Sequence, residues 1–177
     1  MRTPHDKAEA MTKTAGTHRT VGLTKTISVS CAPDQALRYF TEYAAKWWPV
    51  ALRQTEGWNF EILTIYTAKR FYERDAKGRE VELGKILLWG APHQLKFECY
   101  FITGQEHPTQ LTIHFAPEKS GTQVTLEHQP VLAAEPLWEQ HRAVFEAAWD
   151  TGLSKLAQVI WQEQQARLND ALIFLGS

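Results

Sequence analysis

Two ionisable residues, Glu73 and His128, occupy strand-like segments in which they share parity with apolar side chains. His128 follows Leu126 at a spacing of two, and Glu73 follows Phe71 at the same spacing. Alternate side chains of a strand point to the same face, so each ionisable group should point where its apolar neighbour points. If both apolar faces are inward, a carboxylate and an imidazole meet inside the protein.

Such a pair supports three interpretations, which the sequence leaves open. The pair can orient the hydroxyl or carbonyl group of a ligand, or it can act as an acid–base couple with perturbed pKa values. It can also be purely structural, because buried polar groups are nearly always partnered. We favour the structural interpretation.

Motifs for other kinds of chemistry are missing from the sequence. There is no GxSxG motif, and Gly78 with Gly84-Lys85 fails as a phosphate loop because five residues separate the glycines and Ile86 replaces Ser or Thr. No HExxH motif or tight ligand spacing is found among four of the histidines, which are His107, His114, His128 and His141. We expect no metal site and no cofactor.

The charge and cysteine content exclude several classes of partner. The chain has 19 Lys and Arg against 20 Asp and Glu, a formal net charge of -1, so no overall field attracts nucleic acid or an anionic membrane. No apolar run reaches the roughly 18 residues that a membrane-spanning helix needs, and no secretory signal is recognisable. Cys31 and Cys99 form no CxxC motif and read as buried, reduced thiols, which predicts a cytoplasmic protein.

The hydrophobic period predicts an α+β domain. A first strand spans 23–30, and a short helical region begins at Pro33 and ends at Trp48-Pro49. Short, turn-rich connections then separate strand-like segments that can pair only as an antiparallel meander. The predicted segments are 60–67, 69–74, 80–89, 94–102, 109–116 and 122–128.

One long amphipathic helix is predicted after the meander. Its apolar stripe comprises Phe145, Trp149, Leu153, Leu156 and Ile160, at the three- and four-residue spacing of a helix face. We expect the helix to begin near Pro136 and fade after Ala166, with Gly152 marking a bend or a close contact. The predicted domain is 21–168, between a tail of 1–20 and a short apolar tail of 169–177 that docks on the body or on a neighbour.

Several strings in this framework resemble a known family. The order of strand, short helix pair, antiparallel meander and long C-terminal helix is the helix-grip order. The strings Trp47-Trp48-Pro49, 70–75 with Gly78, Gly84 with Trp89, and 124–128 are similar to those of bacterial proteins of the START-like (SRPBCC) superfamily, in the group labelled activator-of-heat-shock-ATPase-like. The resemblance covers about residues 21 to 165.

Three departures separate the chain from the pattern of that family. Ala68-Lys69 replaces a paired glycine, Gly90 replaces a glutamate, and Ala148 replaces the glycine before the helical Trp. The patterning of the scaffold is intact, so the resemblance implies a helix-grip fold, in which a curved antiparallel sheet wraps around the C-terminal helix. The departures leave the ligand unassigned.

The resemblance implies a cavity between the sheet and the long helix. Relatives use this cavity for hydrophobic ligands and occasionally for cyclase or hydrolase chemistry, and some contact chaperones. We therefore predict a non-catalytic binder of a small hydrophobic or amphipathic molecule. The alternatives are an interaction protein that resembles the chaperone-ATPase activators and an enzyme that uses Glu73 and His128. A homodimer and a chaperone contact are the protein partners considered.

Inward parity and the helix stripe select the candidate ligand-binding residues. Trp47 and Trp48 are adjacent, so on a helix they would point about 100° apart, and one of them would either rim the cavity or cap the open end of the sheet. The candidate ligand contacts are Trp48, Phe71, Glu73, Phe97, Leu126, His128, Phe145, Trp149 and Leu153.

Overall fold

The computed structural model describes residues 21–131 and 134–175. Seven antiparallel strands form one sheet in the order β1-β7-β6-β5-β4-β3-β2, as the meander predicted. The strands are β1 (Leu23–Val29), β2 (Phe60–Ile65), β3 (Arg70–Asp75), β4 (Glu80–Gly90), β5 (Gln94–Cys99), β6 (Thr109–Glu118) and β7 (Gly121–Pro130). The predicted tail of residues 1–20 lies outside the described residues.

Turn chemistry sets the register of the meander. Between β3 and β4, the Asp75 carboxylate accepts hydrogen bonds from the backbone N–H groups of Lys77 and Arg79, both at 2.9 Å. Gly78 in the same turn has a φ of +82°, a conformation in which glycine carries no steric penalty. The chain returns so that Glu73 pairs with Val81. Every second residue of β5 is then buried, beginning with Leu95.

The region after β1 is shorter and more broken than the single helix of the sequence prediction. Helix α1 spans Pro33–Thr41 and is followed by two short 3-10 helices, Ala44–Lys46 and Val50–Leu52. Trp47 therefore follows a 3-10 turn, and both tryptophans pack into the core, with Trp47 1% and Trp48 5% exposed. The expectation that adjacent tryptophans diverge by a helical angle was wrong at this position.

Helix α2 spans Glu135–Leu175 and begins where the sequence predicts. Its buried stripe ends at Ile160, but the helix continues nine residues past Ala166, so the predicted end was wrong. Residues 169–175 prolong α2, and Leu172 and Phe174 in this segment are exposed. No helix in the described part of the chain is long and apolar enough to cross a membrane.

Candidate functional site

Glu73 and His128 are both inward, as parity predicts, but each has its own partners. The side chain of Glu73 is fully buried. Its carboxylate accepts hydrogen bonds from Arg53 Nη2 at 3.1 Å, from the Gln54 backbone N–H at 2.7 Å and from the Thr55 hydroxyl. Arg53 also covers the ring of Phe60, at 3.6 Å from its centroid. Glu73 therefore fastens the segment that follows the second 3-10 helix onto β3, and the predicted Glu73–His128 pair is wrong.

His128 lies under α2 with both ring nitrogens engaged. Trp149 Nε1–H donates to His128 Nδ1 at 3.0 Å, and His128 Nε2 lies 2.8 Å from Thr109 Oγ1. Since Nδ1 accepts, a neutral ring carries its proton on Nε2 and donates it to Thr109. Burial lowers the pKa of His128 to about 3, so the ring is neutral at physiological pH. The imidazole has no nitrogen left to act as a general base.

Side chains fill the space between the sheet and α2. The Phe101 ring lies 6.1 Å from Trp149 and 6.3 Å from Phe145, and the His128 ring lies 4.7 Å from Phe145. All four are 0% exposed. The place where the sequence analysis expected a ligand is thus occupied by the protein's own aromatic groups.

The candidate ligand contacts fall into two groups. Eight of them belong to the packed interior, and their contact with a ligand stays a prediction; these are Phe71, Glu73, Phe97, Leu126, His128, Phe145, Trp149 and Leu153. Trp48 differs because its ring is also part of the wall of a groove that opens to solvent. Its ring contacts Phe71, Phe101 and Trp149, each within 5.8 Å, so Trp48 connects the core to this groove.

The Trp48 groove holds about 500 Å³. Its floor and walls come from the two 3-10 helices, the segment 53–58, the start of β2, and α2. Apolar groups dominate the lining, among them Trp48, Val50, Trp58 and Phe60. The indole N–H of Trp48 is buried without an acceptor among the described residues. A buried donor of this kind costs about 1–3 kcal/mol when it is unsatisfied.

An exposed aromatic ring and three cationic side chains line the Trp48 groove. Trp58 is 96% exposed, which is unusual for the largest apolar side chain. Lys46, Arg53 and Lys155 line the groove against one acidic residue, Glu56. Lys46 is bound to Glu163 at 2.7 Å, whereas Lys155 has no ion pair among the described residues. Arg53 is likewise paired, with the buried Glu73, so the groove is apolar and Lys155 is its one cation without an ion pair among the described residues.

A neighbouring groove of about 780 Å³ lies on the other side of Trp58. It is lined by Glu56 and Asp75 as well as Lys77 and Arg79, so opposite charges lie side by side in it. Such a lining has no preference for one charge. The Trp48 groove, whose lining is mostly apolar, is the better-defined binding surface.

Sequence reasoning missed most of the Trp48 groove. Trp58, Phe60 and Lys155 come from an irregular loop, a strand and the middle of a helix, and no period or motif connects them. The one available signal was Gly57-Trp58, a large aromatic residue within a stretch that has no hydrophobic period. No group of His, Cys, Asp and Glu that is suited to a metal ion occurs among the described residues.

Comparison with solved structures places the fold among bacterial proteins. A protein from Nitrosomonas europaea superposes with a TM-score of 0.59 at 18% identity, covering 83% of this chain and 98% of its own. A protein from Chromobacterium violaceum gives 0.53 at 17% identity, covering 78% and 96%. The AHSA1-like protein from Aeromonas hydrophila gives 0.54 at 14% identity, covering 81% and 94%. At these identities the likeness shows the fold alone.

Sequence comparison identifies the family. Among curated proteins, no sequence matches the chain. The family described as "Activator of Hsp90 ATPase homolog 1-like protein" matches residues 33–160, which include the two 3-10 helices, β2 to β7 and the part of α2 that packs on the sheet. This span is well over half of the chain, and it contains the strings that carried the resemblance. The chain belongs to the family of Activator of Hsp90 ATPase homolog 1-like proteins.

Proposed function

We propose that the protein binds a small amphipathic molecule in the Trp48 groove, without catalysis. The observation that carries the proposal is the fully exposed ring of Trp58 beside an apolar groove of about 500 Å³. Small-molecule sites in proteins typically measure about 300–1,000 Å³ and combine apolar walls with a few polar groups. The Trp48 groove fits this description, whereas the interior is filled.

One cation of the groove favours a ligand with an acidic head group. Lys155 is exposed and has no ion pair among the described residues, whereas Lys46 is paired with Glu163. An ammonium group at the edge of an apolar surface attracts a carboxylate while the remainder of the ligand packs on Trp58 and Phe60.

Replacement of Trp58 tests the proposal. Titration with a medium-chain fatty acid, a flavonoid and a bile-type steroid acid should change tryptophan fluorescence saturably for at least one of the three. Trp58→Ala should weaken that affinity by about tenfold or more, because an aromatic contact in a binding site is worth at least about 1.4 kcal/mol. Stability should stay within about 0.5 kcal/mol, since the ring is exposed.

Two controls locate the ligand. Phe174→Ala removes another exposed aromatic ring, 87% exposed and outside the groove, and should leave the affinity unchanged. Lys155→Gln should weaken the binding of the acid but not that of its methyl ester. Equal affinity of the wild type and Trp58→Ala would refute the Trp48 groove as the site.

A second candidate function is binding of a protein partner, and an exposed apolar patch on the sheet favours it. The patch consists of Ile65, Tyr66, Leu87 and Leu88, which are 38%, 57%, 43% and 42% exposed. A register shift between Ile86 and Leu88 allows consecutive leucines to be exposed. The filled interior and the family's name both agree with an activator of a chaperone ATPase.

The second candidate predicts a different response. Leu88→Glu should abolish stimulation of a bacterial Hsp90 ATPase, whereas Lys119→Glu, on an exposed turn away from the patch, should not. Stimulation that Leu88→Glu leaves intact would exclude this patch. The structure disfavours an enzyme that uses Glu73 and His128, because both groups are saturated by structural hydrogen bonds. Two buried free thiols, Cys31 and Cys99, fit the reducing cytoplasm, which is the compartment that we propose.

A further inference from the structure

Helix α2 has an exposed face opposite the face that packs on the sheet. This face carries one continuous stripe of exposed residues that repeats every seven positions. The stripe comprises Ala147, Thr151, Ser154, Gln158, Trp161, Gln165, Leu168 and Leu172. This alternation of four and three residues is the pattern that keeps one helix face against another helix. The core residues of α2, such as Trp149 and Leu156, lie about half a turn away.

Side-chain size along this stripe is graded from small to large. The N-terminal half presents Ala147, Thr151 and Ser154, whereas the C-terminal half presents Trp161, Leu168 and Leu172, which are 57%, 57% and 68% exposed. A helix that lies antiparallel on this one would place large residues on small ones and small on large ones. A parallel helix of the same sequence would place large side chains on each other.

The small half of the stripe lies in a ready-made apolar groove. This α2 groove holds about 490 Å³. It lies between α2 and the second 3-10 helix, and Val50, Ala51, Val144, Ala147 and Thr151 are among the residues that line it. Val50 is 76% exposed and Val144 is 41% exposed. The groove is thus an apolar concave surface without a covering group among the described residues.

The large half of the stripe has no such support. Ile160 is the last buried residue of α2, the body holds the helix through Glu163 and Gln164, and residues 165–174 are all exposed. Most helical stability in proteins comes from packing of an apolar face, because short isolated helices are marginal in water. About three exposed turns that carry Leu168 and Leu172 therefore require a partner surface.

We propose that two copies of the protein pair through antiparallel α2 helices, with Leu168 and Leu172 of each copy seated in the α2 groove of the other. The twofold axis passes between Val159 and Ile160. Leu172 then faces Ala147 of the second copy, Leu168 faces Thr151, and Trp161 faces Gln158. Each large side chain meets a small or flexible one.

The distribution of charge agrees with pairing of identical copies. The stripe itself carries no charged residue, so two copies bring no like charges together in the seam. The acids beside it, Glu146 and Asp150, are bound to Lys25 at 3.3 and 2.8 Å. Arg167 and Asp170 lie on the far side of the helix by their spacing. An acidic or basic partner would gain nothing from this face.

The expected interface is small. From Ala147 to Leu172 the contact is about 38 Å long at 1.5 Å per residue and about 10 Å wide. Together with the groove walls, this corresponds to a total buried area on the order of 1,000 Å². That is the low end of specific interfaces, which are often transient. We therefore expect a dimer that dissociates at micromolar concentrations.

Sedimentation equilibrium over a concentration series tests the pairing. The full chain should shift from monomer to dimer mass, and Leu168→Glu with Leu172→Glu should raise the dimer dissociation constant by at least about a hundredfold, which is about 2.7 kcal/mol. Ala171→Glu with Phe174→Glu adds the same two charges to the same helix end off the stripe and should have no effect. A chain that stays monomeric, or a dimer that the double substitution leaves intact, would overturn the proposal.

Disulfide cross-linking tests the direction of pairing. Position 158 lies beside the twofold axis, so in Gln158→Cys the thiols of the two copies should form a disulfide upon oxidation. Leu172→Cys should not cross-link, because its counterpart lies more than about 30 Å away along the helix. The native thiols give little background, since both are buried. Cross-linking of Leu172→Cys would indicate parallel helices, in which both variants cross-link, and would refute the antiparallel arrangement.

Discussion

His128 is a histidine whose position makes its charged form costly. The ring has no counter-ion among the described residues, and its two nitrogens bind Trp149 Nε1 and Thr109 Oγ1. Desolvation by burial lowers its pKa from 6.5 to about 3. The unfolded chain therefore takes up a proton below pH 6.5 that the folded chain does not. The stability that depends on the neutral ring is complete above that pH and is lost as the pH falls toward 3.

The free energy of unfolding should therefore change measurably with pH. Between pH 6 and pH 4, His128 should lower the free energy of unfolding by about 1 kcal/mol for each pH unit. Urea unfolding of wild type and His128→Gln at several pH values should show that the variant, although less stable at pH 7, has the shallower slope. His114→Gln, at an exposed histidine, should keep the wild-type slope. Parallel slopes for wild type and His128→Gln would contradict the assignment of a neutral buried ring.

The Arg53–Glu73 ion pair is the other buried polar contact with a clear expectation. The side chains are 9% and 0% exposed, so Arg53→Met leaves a carboxylate without its cation in the interior. We expect a loss of about 3 kcal/mol in denaturant unfolding. The double variant Arg53→Met with Glu73→Met should recover part of it, because no uncompensated charge remains.

An exposed pair is the control for the Arg53–Glu73 pair. Arg74 and Glu61 form an ion pair with side chains 38% and 57% exposed, and Arg74→Met should cost far less than Arg53→Met because water screens the pair. A similar cost for Arg53→Met and Arg74→Met would show that Arg53 does not neutralise a buried charge. Strand parity predicted that Glu73 is inward, but it could not identify Arg53, whose approach depends on how an irregular segment folds across the sheet.

At the scale of elements, Gly152 decides how α2 meets the second 3-10 helix. A Cβ atom built on Gly152 would lie 2.6 Å from Cγ of Pro49, and the proline ring is too stiff to move aside. Gly152→Ala should gain about 1 kcal/mol of helix propensity and yet destabilise the protein by about 1–3 kcal/mol overall through overpacking. Thermal unfolding with Gln162→Ala as an exposed control checks this. A stabilised Gly152→Ala variant would show that the contact is loose.

The predicted elements differ in how well the sequence determined them. The strands were found because turn residues such as Gly78 and the period of two act locally. The close contact at Gly152 was also anticipated from the sequence. The end of α2 was missed because the buried stripe ends at Ile160, whereas the helix does not. The exposed residues Trp161, Leu168 and Leu172 continue on a different face, which a search for the core stripe overlooks.

At the scale of the whole molecule, the protein's own side chains fill the interior between the sheet and α2. Phe101, Phe145 and Trp149 occupy it, and the opening is left at the Trp48 groove. The order of elements and the family strings were sufficient to predict the fold. They could not predict the groove, because Trp58 and Lys155 come together only after the irregular segment is fastened by Glu73.

A ligand bound at the Trp48 groove and one bound under α2 would affect different tryptophans. Tryptophan indole N–H resonances, assigned by single Trp→Phe substitutions, measure this directly during a ligand titration. The signals of Trp48 and Trp58 should shift saturably, with a single dissociation constant for both. The signal of Trp149 should stay in place because its N–H remains bound to His128. A shift of Trp149 with Trp58 unmoved would contradict binding at the Trp48 groove and place the ligand in the interior.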